Sequence, residues 1–216
     1  MEKEFIKRVL SSLLLFPIFL FFVIEGSYYF ISIVLICFFL SLYEWGKMQI
    51  NNNIKTLGIF FLIISFYTIF KIRTSFDNDY VIFLIIALIC IFSDLGGYIF
   101  GKLLKGPKLT KLSPKKTYAG MIGSYTLCIL FYVFVANFKI FNVNNFISFF
   151  IFVIIISSIS QLGDIIISYF KRLSKIKDTG NIIPGHGGLL DRIDGMLFAF
   201  PTSYLILMFD FFKIFI

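Results

Sequence analysis

Residues 163–195 combine acidic, basic and glycine-rich elements in a chain that is otherwise dominated by Phe, Ile and Leu. The segment holds the only His of the chain, His186. It also holds four acidic and five basic side chains: Asp164, Asp178, Asp191, Asp194, Lys171, Arg172, Lys175, Lys177 and Arg192. Carboxylates can ligate a hard cation, and Lys and Arg can bind phosphate oxygens. In so apolar a protein, charge gathered in one place predicts a site for a charged ligand.

The first part of this segment has helical spacing. On a helix, Asp164, Ser168, Lys171, Arg172 and Lys175 would form one stripe. A carboxylate at the membrane-buried end, with basic groups toward the cytosol, suits a metal–phosphate site near the lipid headgroups. The same pattern is typical of an amphipathic helix whose basic residues contact acidic headgroups. The stripe alone leaves both interpretations open.

A glycine-rich loop, IIPGHGG, follows and cannot continue a helix. Gly187 and Gly188 would let backbone N–H groups approach phosphate oxygens. His186 could be a metal ligand, an acid or base, or a hydrogen-bond donor to phosphate. Because a lone His in a glycine loop is not a metal cluster, we favour the donor role.

A new helix is expected from near Leu189, which would place Asp191 and Asp194 on one face. Asp164 and Asp191 lie on opposite sides of the glycine loop, so they could converge on one cation. Hard oxygen ligands beside a phosphate-rich ligand favour Mg²⁺.

The second polar segment, 94–117, ends in the motif SPKKT, which spans Ser113, Lys115, Lys116 and Thr117. A Pro at the start of a helix, with hydroxyls and two lysines, is a plausible anion site. Basic turns beside a membrane are also common for topological reasons, so this motif is weak alone. Asp94 follows an apolar run and could cap a helix or add a metal-side carboxylate.

Seven apolar runs predict the helices that must position these residues: 9–24, 28–43, 57–70, 80–92, 118–136, 146–162 and 196–212. Lipid offers no hydrogen-bond partners, so these runs must be helices rather than strands. We predict an all-α fold, a polytopic membrane helix bundle of about seven to nine transmembrane helices with two polar cytosolic segments forming the site. Residues 1–216 would be a single integral-membrane domain, with scaffold helices in 1–92 and a catalytic half in 93–216.

Composition supports a membrane protein, since 59% of residues are hydrophobic and a soluble domain has roughly 45–50%. With a cytosolic N-terminus, most of the 20 Lys and Arg residues fall on the cytosolic side. The net charge of +8 is therefore attributed to cytosolic loops and not to nucleic-acid binding. Cys37, Cys90 and Cys128 lie in apolar runs and are expected to pack, not to form disulfides or a zinc site.

These polar residues resemble the signature of phosphatidate cytidylyltransferases, also called CDP-diacylglycerol synthases. The C-terminal matches are Ser168, Lys171, Arg172, Lys177, Asp178, Gly180, Pro184, His186, Gly187, Gly188, Asp191, Arg192 and Asp194. The upstream matches are Asp94, Tyr98, Gly101, Ser113, Pro114, Lys115, Lys116, Thr117, Gly163 and Asp164. The resemblance covers about half of the chain, and its C-terminal part is far longer than a short motif. The chain departs from the family at Ala119 and Ile167, where members usually have Glu.

The resemblance implies a multi-pass membrane enzyme that transfers CMP from CTP to phosphatidate, releasing pyrophosphate, in phospholipid biosynthesis. It implies Mg²⁺ as cofactor and, in some members, a second cation such as K⁺. It also implies that the substrates CTP and phosphatidate meet at the lipid bilayer, in a homodimer. The expected location is a bacterial-type inner membrane, with the N-terminus and active site cytosolic.

Carried over residue by residue, the resemblance implies three groups of site residues. The metal ligands would be Asp164 and Asp191, with Asp194 as an auxiliary ligand. The catalytic set would be Asp164, Asp191, Lys171, Arg172 and His186. Substrate would be bound by Ser113, Lys115, Lys116, Thr117, Ser168, Lys177, Asp178, Gly187, Gly188 and Arg192.

Two other functions share some of these features. A CTP-dependent polyprenol or lipid kinase would use similar residues but would transfer a phosphoryl group and release CDP. A small ion-coupled transporter would need charges along an intramembrane path. Asp94, Asp164 and Asp191 instead follow or precede apolar runs beside basic loops, which argues against transport.

Overall fold

The computed structural model describes residues 16–75, 79–110, 113, 116–138, 145–182 and 187–209. In this part of the chain every regular element is a helix, apart from isolated β-bridges such as that between Lys108 and Thr117. The helices are, in chain order, α1 Phe16–Glu25, α2 Ser27–Lys47, α3 Asn52–Thr74, α4 Asp79–Leu104, α5 Tyr118–Phe138, α6 Phe146–Leu173 and α7 Leu190–Met208. The predicted all-α class is confirmed for these residues.

Helices α2 to α6 are long and apolar enough to cross a bilayer, which makes the chain an integral membrane protein. They reach beyond the apolar runs that predicted them, because polar flanking residues continue the same helices. For example, α3 extends over Asn52–Thr74, whereas the sequence predicted 57–70. The total of seven to nine spans stays a prediction.

Three of these helices are capped at their N-termini by a side chain from the preceding loop. Asn51 accepts a hydrogen bond from the backbone N–H of Asn53 at the start of α3. Asn145 accepts from Ile147 at the start of α6. Thr117 Oγ1 accepts from the N–H of Gly120 over 3.0 Å at the start of α5. Each satisfies a helix N–H that would otherwise lack a partner.

Helices α4 and α5 pack closely because glycines face each other between them. A Cβ on Gly120 of α5 would lie 2.8 Å from the carbonyl oxygen of Gly97 on α4. A Cβ on Gly123 would lie equally close to the Gly96 carbonyl, at 2.8 Å. Larger side chains here would separate the two helices, which both contribute to the cavity described below.

Helix α7 packs against α2, α3, α4 and α6, so it occupies the interior of the bundle. Leu197 and Phe200 of α7 are fully buried. Ser65 of α3 donates to the carbonyl of Leu197 over 2.8 Å. The N-terminal helices α2 and α3 therefore support the helix that carries Asp191 and Asp194.

Two expectations about local structure were wrong. Asp94 does not cap a helix, because α4 continues through the apolar residues after it and ends at Leu104. The first eleven residues of the predicted cytosolic segment 94–117 are therefore helical. The predicted stripe on α6 also ends early: Lys175 has a φ of 55° and lies beyond the helix end at Leu173.

Candidate active site

A cavity of about 350 Å³ lies where α4, α5, α6 and α7 meet the loops before α5 and α7. It brings together nine of the residues that the sequence predicted for the site: Ser113, Lys116, Thr117, Asp164, Lys171, Asp178, Asp191, Arg192 and Asp194. The wall also includes polar residues outside that prediction, among them Ser93, Asp94, Ser124 and Gln161. Residues far apart in sequence thus form one polar chamber in an apolar bundle.

Asp164 on α6 lies on the wall of this cavity and pairs with a lysine from the loop before α5. Lys116 Nζ is 2.5 Å from Asp164 Oδ2 and also donates to the carbonyl of Gln161 over 3.4 Å. Ser168, one turn further along α6, donates to Asp164 Oδ1 over 3.3 Å. The carboxylate that was predicted to bind metal is therefore held by one ammonium and one hydroxyl.

Asp191 in the first turn of α7 is held by more partners. Lys171 Nζ is 2.8 Å from Oδ1. Oδ2 accepts from the backbone N–H of Thr179 over 2.8 Å and of Gly188 over 3.1 Å. Burial raises the pKa of Asp191, but the Lys171 and backbone hydrogen bonds outweigh it, so the pKa lies below its ordinary value. Asp191 is therefore ionised and fixed in direction.

Two further acids complete the floor of the cavity. Asp194 of α7 is 5% exposed and accepts from the N–H of Gly195 over 2.8 Å. Burial, followed by repulsion from the carboxylates of Asp164 and Asp94, raises the pKa of Asp194 above its ordinary value. Asp94, Asp164 and Asp194 lie close enough to repel one another, and a cation bound between them would relieve this repulsion. Asp94, for which the sequence left a helix cap and a metal-side carboxylate as alternatives, lines the same cavity.

These acids fit Mg²⁺ by the chemistry of their oxygens. Mg²⁺ keeps several waters and is usually bound by one or two carboxylates together with substrate phosphates. In the described residues no three His, Cys, Asp or Glu side chains form a ready-made metal cluster. These acids could therefore supply one or two ligands of such an ion, with water and the phosphate oxygens of a ligand as the others.

The other predicted site residues differ in their positions. Ser168 is buried on α6 beside Asp164, and Gly187 and Gly188 lie at the start of the Asp191 turn. Arg172 and Lys177 are exposed and do not line the cavity; Arg172 donates to the carbonyl of Ile176. His186 and Lys115 lie outside the described residues.

Two residues that support Asp191, directly or through a neighbour, were not predicted from the sequence. Thr179 donates its backbone N–H to Asp191, and its hydroxyl lies 2.8 Å from Glu44 of α2. Nothing near Glu44 in the sequence marks it, apart from its position just beyond a predicted apolar run. Thr179 lies inside the signature segment between Asp178 and Gly180, where a hydroxyl could have been noted.

Comparisons with known proteins agree with this site. The cytidylyltransferase family model matches residues 50–210, and the chain belongs to this family. The phosphatidate cytidylyltransferase of Rickettsia conorii is 38% identical over 209 residues, covering 93% of this chain and 89% of that protein. The Rickettsia felis protein of the same name is 34% identical, covering 92% and 90%. The Staphylococcus haemolyticus protein of that name is 40% identical over 117 residues, covering 54% and 45%.

Proposed function

We propose that this chain transfers CMP from CTP to phosphatidate, giving CDP-diacylglycerol and pyrophosphate. The family match and the names of the Rickettsia relatives support this reaction. The observation that carries the proposal is the cavity in which Asp164 and Asp191 face the same space as Lys116 and Lys171. Acidic and basic side chains around one cavity at the end of a helix bundle can bind both a metal–triphosphate and a phosphate monoester.

The acids would hold the divalent cation. Asp164 and Asp191 are the proposed ligands, with Asp194 as an auxiliary ligand, and Asp94 adds a fourth carboxylate to the same wall. Mg²⁺, when bound, would neutralise triphosphate charge and stabilise the leaving pyrophosphate. Lys116 and Lys171 now pair with Asp164 and Asp191, so both ammonium groups are already placed beside the proposed metal ligands.

The basic and hydroxyl groups would bind phosphates. Lys116, Lys171 and Arg192 line the cavity and can neutralise substrate oxygens. Ser113 and Thr117 add hydroxyls at the start of α5, where helix N–H groups also favour an anion. Two polyanions must approach each other in this reaction, so cationic groups on several sides lower their repulsion.

The chain itself needs no covalent nucleophile for this transfer. An oxygen of the phosphatidate phosphate attacks the α-phosphorus of CTP, and the bond from that phosphorus to the β-phosphate's bridging oxygen breaks. Pyrophosphate leaves with the electron pair. The side chains position the two phosphates in line and stabilise the charge that develops.

The charges around the cavity support the membrane orientation that we propose. The C-terminal ends of α4 and α6 and the N-terminal ends of α5 and α7 meet there, and this end carries Lys102, Lys105, Lys108, Lys116, Lys171, Lys175 and Lys177. Basic residues gather on the cytosolic side of membrane proteins. We therefore propose that the protein lies in a bacterial-type inner membrane, with the cavity and the N-terminus on the cytosolic side. By analogy with the family, the proposal includes a homodimer and a second cation such as K⁺.

Two labelled nucleotides test the reaction. Purified protein in detergent is given phosphatidate, Mg²⁺ and CTP that carries ³²P at either the α- or the γ-phosphate. We expect the α-label to enter the lipid phase and the γ-label to leave as pyrophosphate. Entry of the γ-label into lipid would instead identify a CTP-dependent lipid kinase. Failure of both labels to enter lipid would contradict the proposed substrates.

A further inference from the structure

Glu44 is a buried acid on α2 that no part of the proposed reaction uses. Its side chain sits in the bundle with 1% of the residue exposed. Oε1 accepts from the backbone N–H of Leu189 over 2.9 Å. Oε2 accepts from the N–H of Leu190 and from the hydroxyl of Thr179, both over 2.8 Å. Three donors from the opposite half of the chain therefore converge on one carboxylate.

These contacts replace a local cap at the start of α7. Leu189 is the N-cap residue, and its own side chain makes no capping hydrogen bond. The first N–H groups of a helix lack partners within the helix and carry partial positive charge. Glu44 supplies both an acceptor and a negative charge at this point. It acts as a cap supplied from a helix more than a hundred residues earlier in sequence.

Thr179 links Glu44 to Asp191. Its hydroxyl is 2.8 Å from Glu44 Oε2 and 3.1 Å from Asp191 Oδ2, so one hydroxyl hydrogen is shared between two carboxylates. Its backbone N–H donates to the same Asp191 oxygen over 2.8 Å. Movement of Glu44 would therefore move Thr179, and movement of Thr179 would redirect the Asp191 carboxylate.

The loop backbone also packs directly against Glu44. A Cβ on Gly180 would lie 2.8 Å from Glu44 Oε1. A Cβ on Gly188 would lie 2.6 Å from Oε2 and 2.7 Å from Oε1. Gly188 also donates its N–H to Asp191. Gly180 and Gly188, two positions of the loop before α7, thus lie against the same carboxylate, with room only for glycine.

We propose that Glu44 is a positioning residue for cytidylyl transfer, which holds the loop before α7 and the first turn of α7 so that Asp191 faces the cavity. This inference rests on the proposed function. Glu44 does not touch substrate; it acts through Thr179, Gly188 and the N-terminus of α7. The helices α2 and α3 then contribute to the chemistry and not only to the bundle.

The test compares Glu44→Gln and Thr179→Val with the control Ser41→Ala. Ser41 is fully buried one turn earlier on α2, and its hydroxyl donates to the Cys37 carbonyl of its own helix. Gln keeps the size of Glu but loses the charge and turns a donor toward the helix N–H groups. We expect Glu44→Gln to lower kcat about 10-fold or more and to raise the half-saturating Mg²⁺ concentration several-fold. Thr179→Val should change kcat and the half-saturating Mg²⁺ concentration in the same directions but by smaller factors. Ser41→Ala should resemble wild type in both quantities.

Hydrogen–deuterium exchange supplies a readout that does not depend on turnover. Peptides covering 188–191 should exchange faster in Glu44→Gln than in wild type or Ser41→Ala, while peptides of α4 should not change. The double variant should fall little below Glu44→Gln alone, because both changes break one chain of contacts. If Glu44→Gln does not fold, Thr179→Val and Glu44→Asp carry the same comparison.

Wild-type kinetics and exchange in a folded Glu44→Gln would overturn the proposal, as would fully additive losses in the double variant. A purely structural Glu44 would lower the melting temperature without changing the Mg²⁺ dependence. If wild-type protein itself transfers no label to phosphatidate, the proposed function fails. In that case the exchange experiment still decides whether Glu44 orders the Asp191 turn.

Discussion

Two loops enter the cavity, and the molecule holds them in different ways. In its described residues the loop before α5 makes backbone hydrogen bonds of its own: Leu109 donates to the Lys116 carbonyl over 2.8 Å, and Tyr118 donates to the Pro107 carbonyl over 3.2 Å. Its one described ion pair to another element joins Lys116 to Asp164. Thr117 then caps α5 from within the same segment. The loop before α7 is instead held by side chains of α2 and α6.

Lys171 and Glu44 are the side chains that hold this second loop, and both carry charge. Lys171 reaches Asp191 from α6, and Glu44 reaches Thr179, Leu189 and Leu190 from α2. A locally fixed loop depends on its own sequence, whereas this one depends on the packing of the whole bundle. We therefore expect changes far from the cavity to reach Asp191 more readily than Lys116.

The largest effect should come from the acid that faces both loops. Asp164→Asn removes a proposed metal ligand and the partner of Lys116. We expect turnover of CTP with phosphatidate to fall by about 100-fold or more, with the protein still folded. Asp191→Asn should act in the same direction. The control is Glu25→Gln, because Glu25 lies on α1 and does not line the cavity. Turnover at the wild-type rate in either Asp variant would refute the metal assignment.

A single methyl group at the second loop should have the next largest effect. Gly188→Ala would place its Cβ 2.6 Å from Glu44 Oε2, so the loop or the carboxylate must shift. We expect initial rates to fall by about 10-fold or more and the melting temperature in detergent to drop. Gly46→Ala is the matched control on α2, since its Cβ would meet nothing within 4 Å. Equal behaviour of the two variants would show that the second loop is not tightly held.

Loss of the ion pair at Asp191 should have a smaller effect on rate but a clear effect on stability. Lys171→Met leaves the Asp191 carboxylate, 5% exposed, without its ammonium partner. Breaking a buried pair in this way costs about 3 kcal/mol. We expect a lower melting temperature and several-fold slower turnover, whereas the exposed Lys175→Met should change neither. Unchanged melting of Lys171→Met would mean that the pair does not hold the loop.

The smallest effect should come from the local cap of the first loop. Thr117→Ala removes the acceptor for the Gly120 N–H and should destabilise α5 by about 1 kcal/mol. Thr117→Ser keeps the hydroxyl and should restore most of this loss. Thermal unfolding in detergent measures both variants. If Thr117→Ala were less stable than Lys171→Met, the first loop would depend more on its single cap than the second loop depends on its ion pair, which would contradict the comparison.

Local patterns in the sequence predicted much of this architecture. Uncharged apolar runs predicted the helices. The glycine loop predicted that α7 starts near Leu189, one residue from its observed start at Leu190. The convergence of Asp164, Asp191 and Asp194 on one cavity was also predicted, because the loop returns the chain beside α6.

Other features depend on contacts that no local pattern encodes. The charge of Asp94 predicted that the helix ends there. Helix α4 nevertheless continues beyond it, because apolar residues follow and glycines of α4 pack against α5. Glu44 and Thr179 are separated by 135 residues, so only the packing of α2 against α7 brings them together. Both features therefore depend on tertiary packing, which a local sequence pattern does not encode.

The proposed reaction depends most on a divalent cation bound at the acidic wall of the cavity. Mn²⁺ can replace Mg²⁺ as a probe, and electron paramagnetic resonance measures its free concentration in the presence of CTP and detergent-solubilised protein. We predict that wild type and Glu25→Gln bind Mn²⁺ with CTP equally and that Asp164→Asn binds it about 10-fold more weakly or worse. Equal Mn²⁺ binding by Asp164→Asn and wild type would contradict the account.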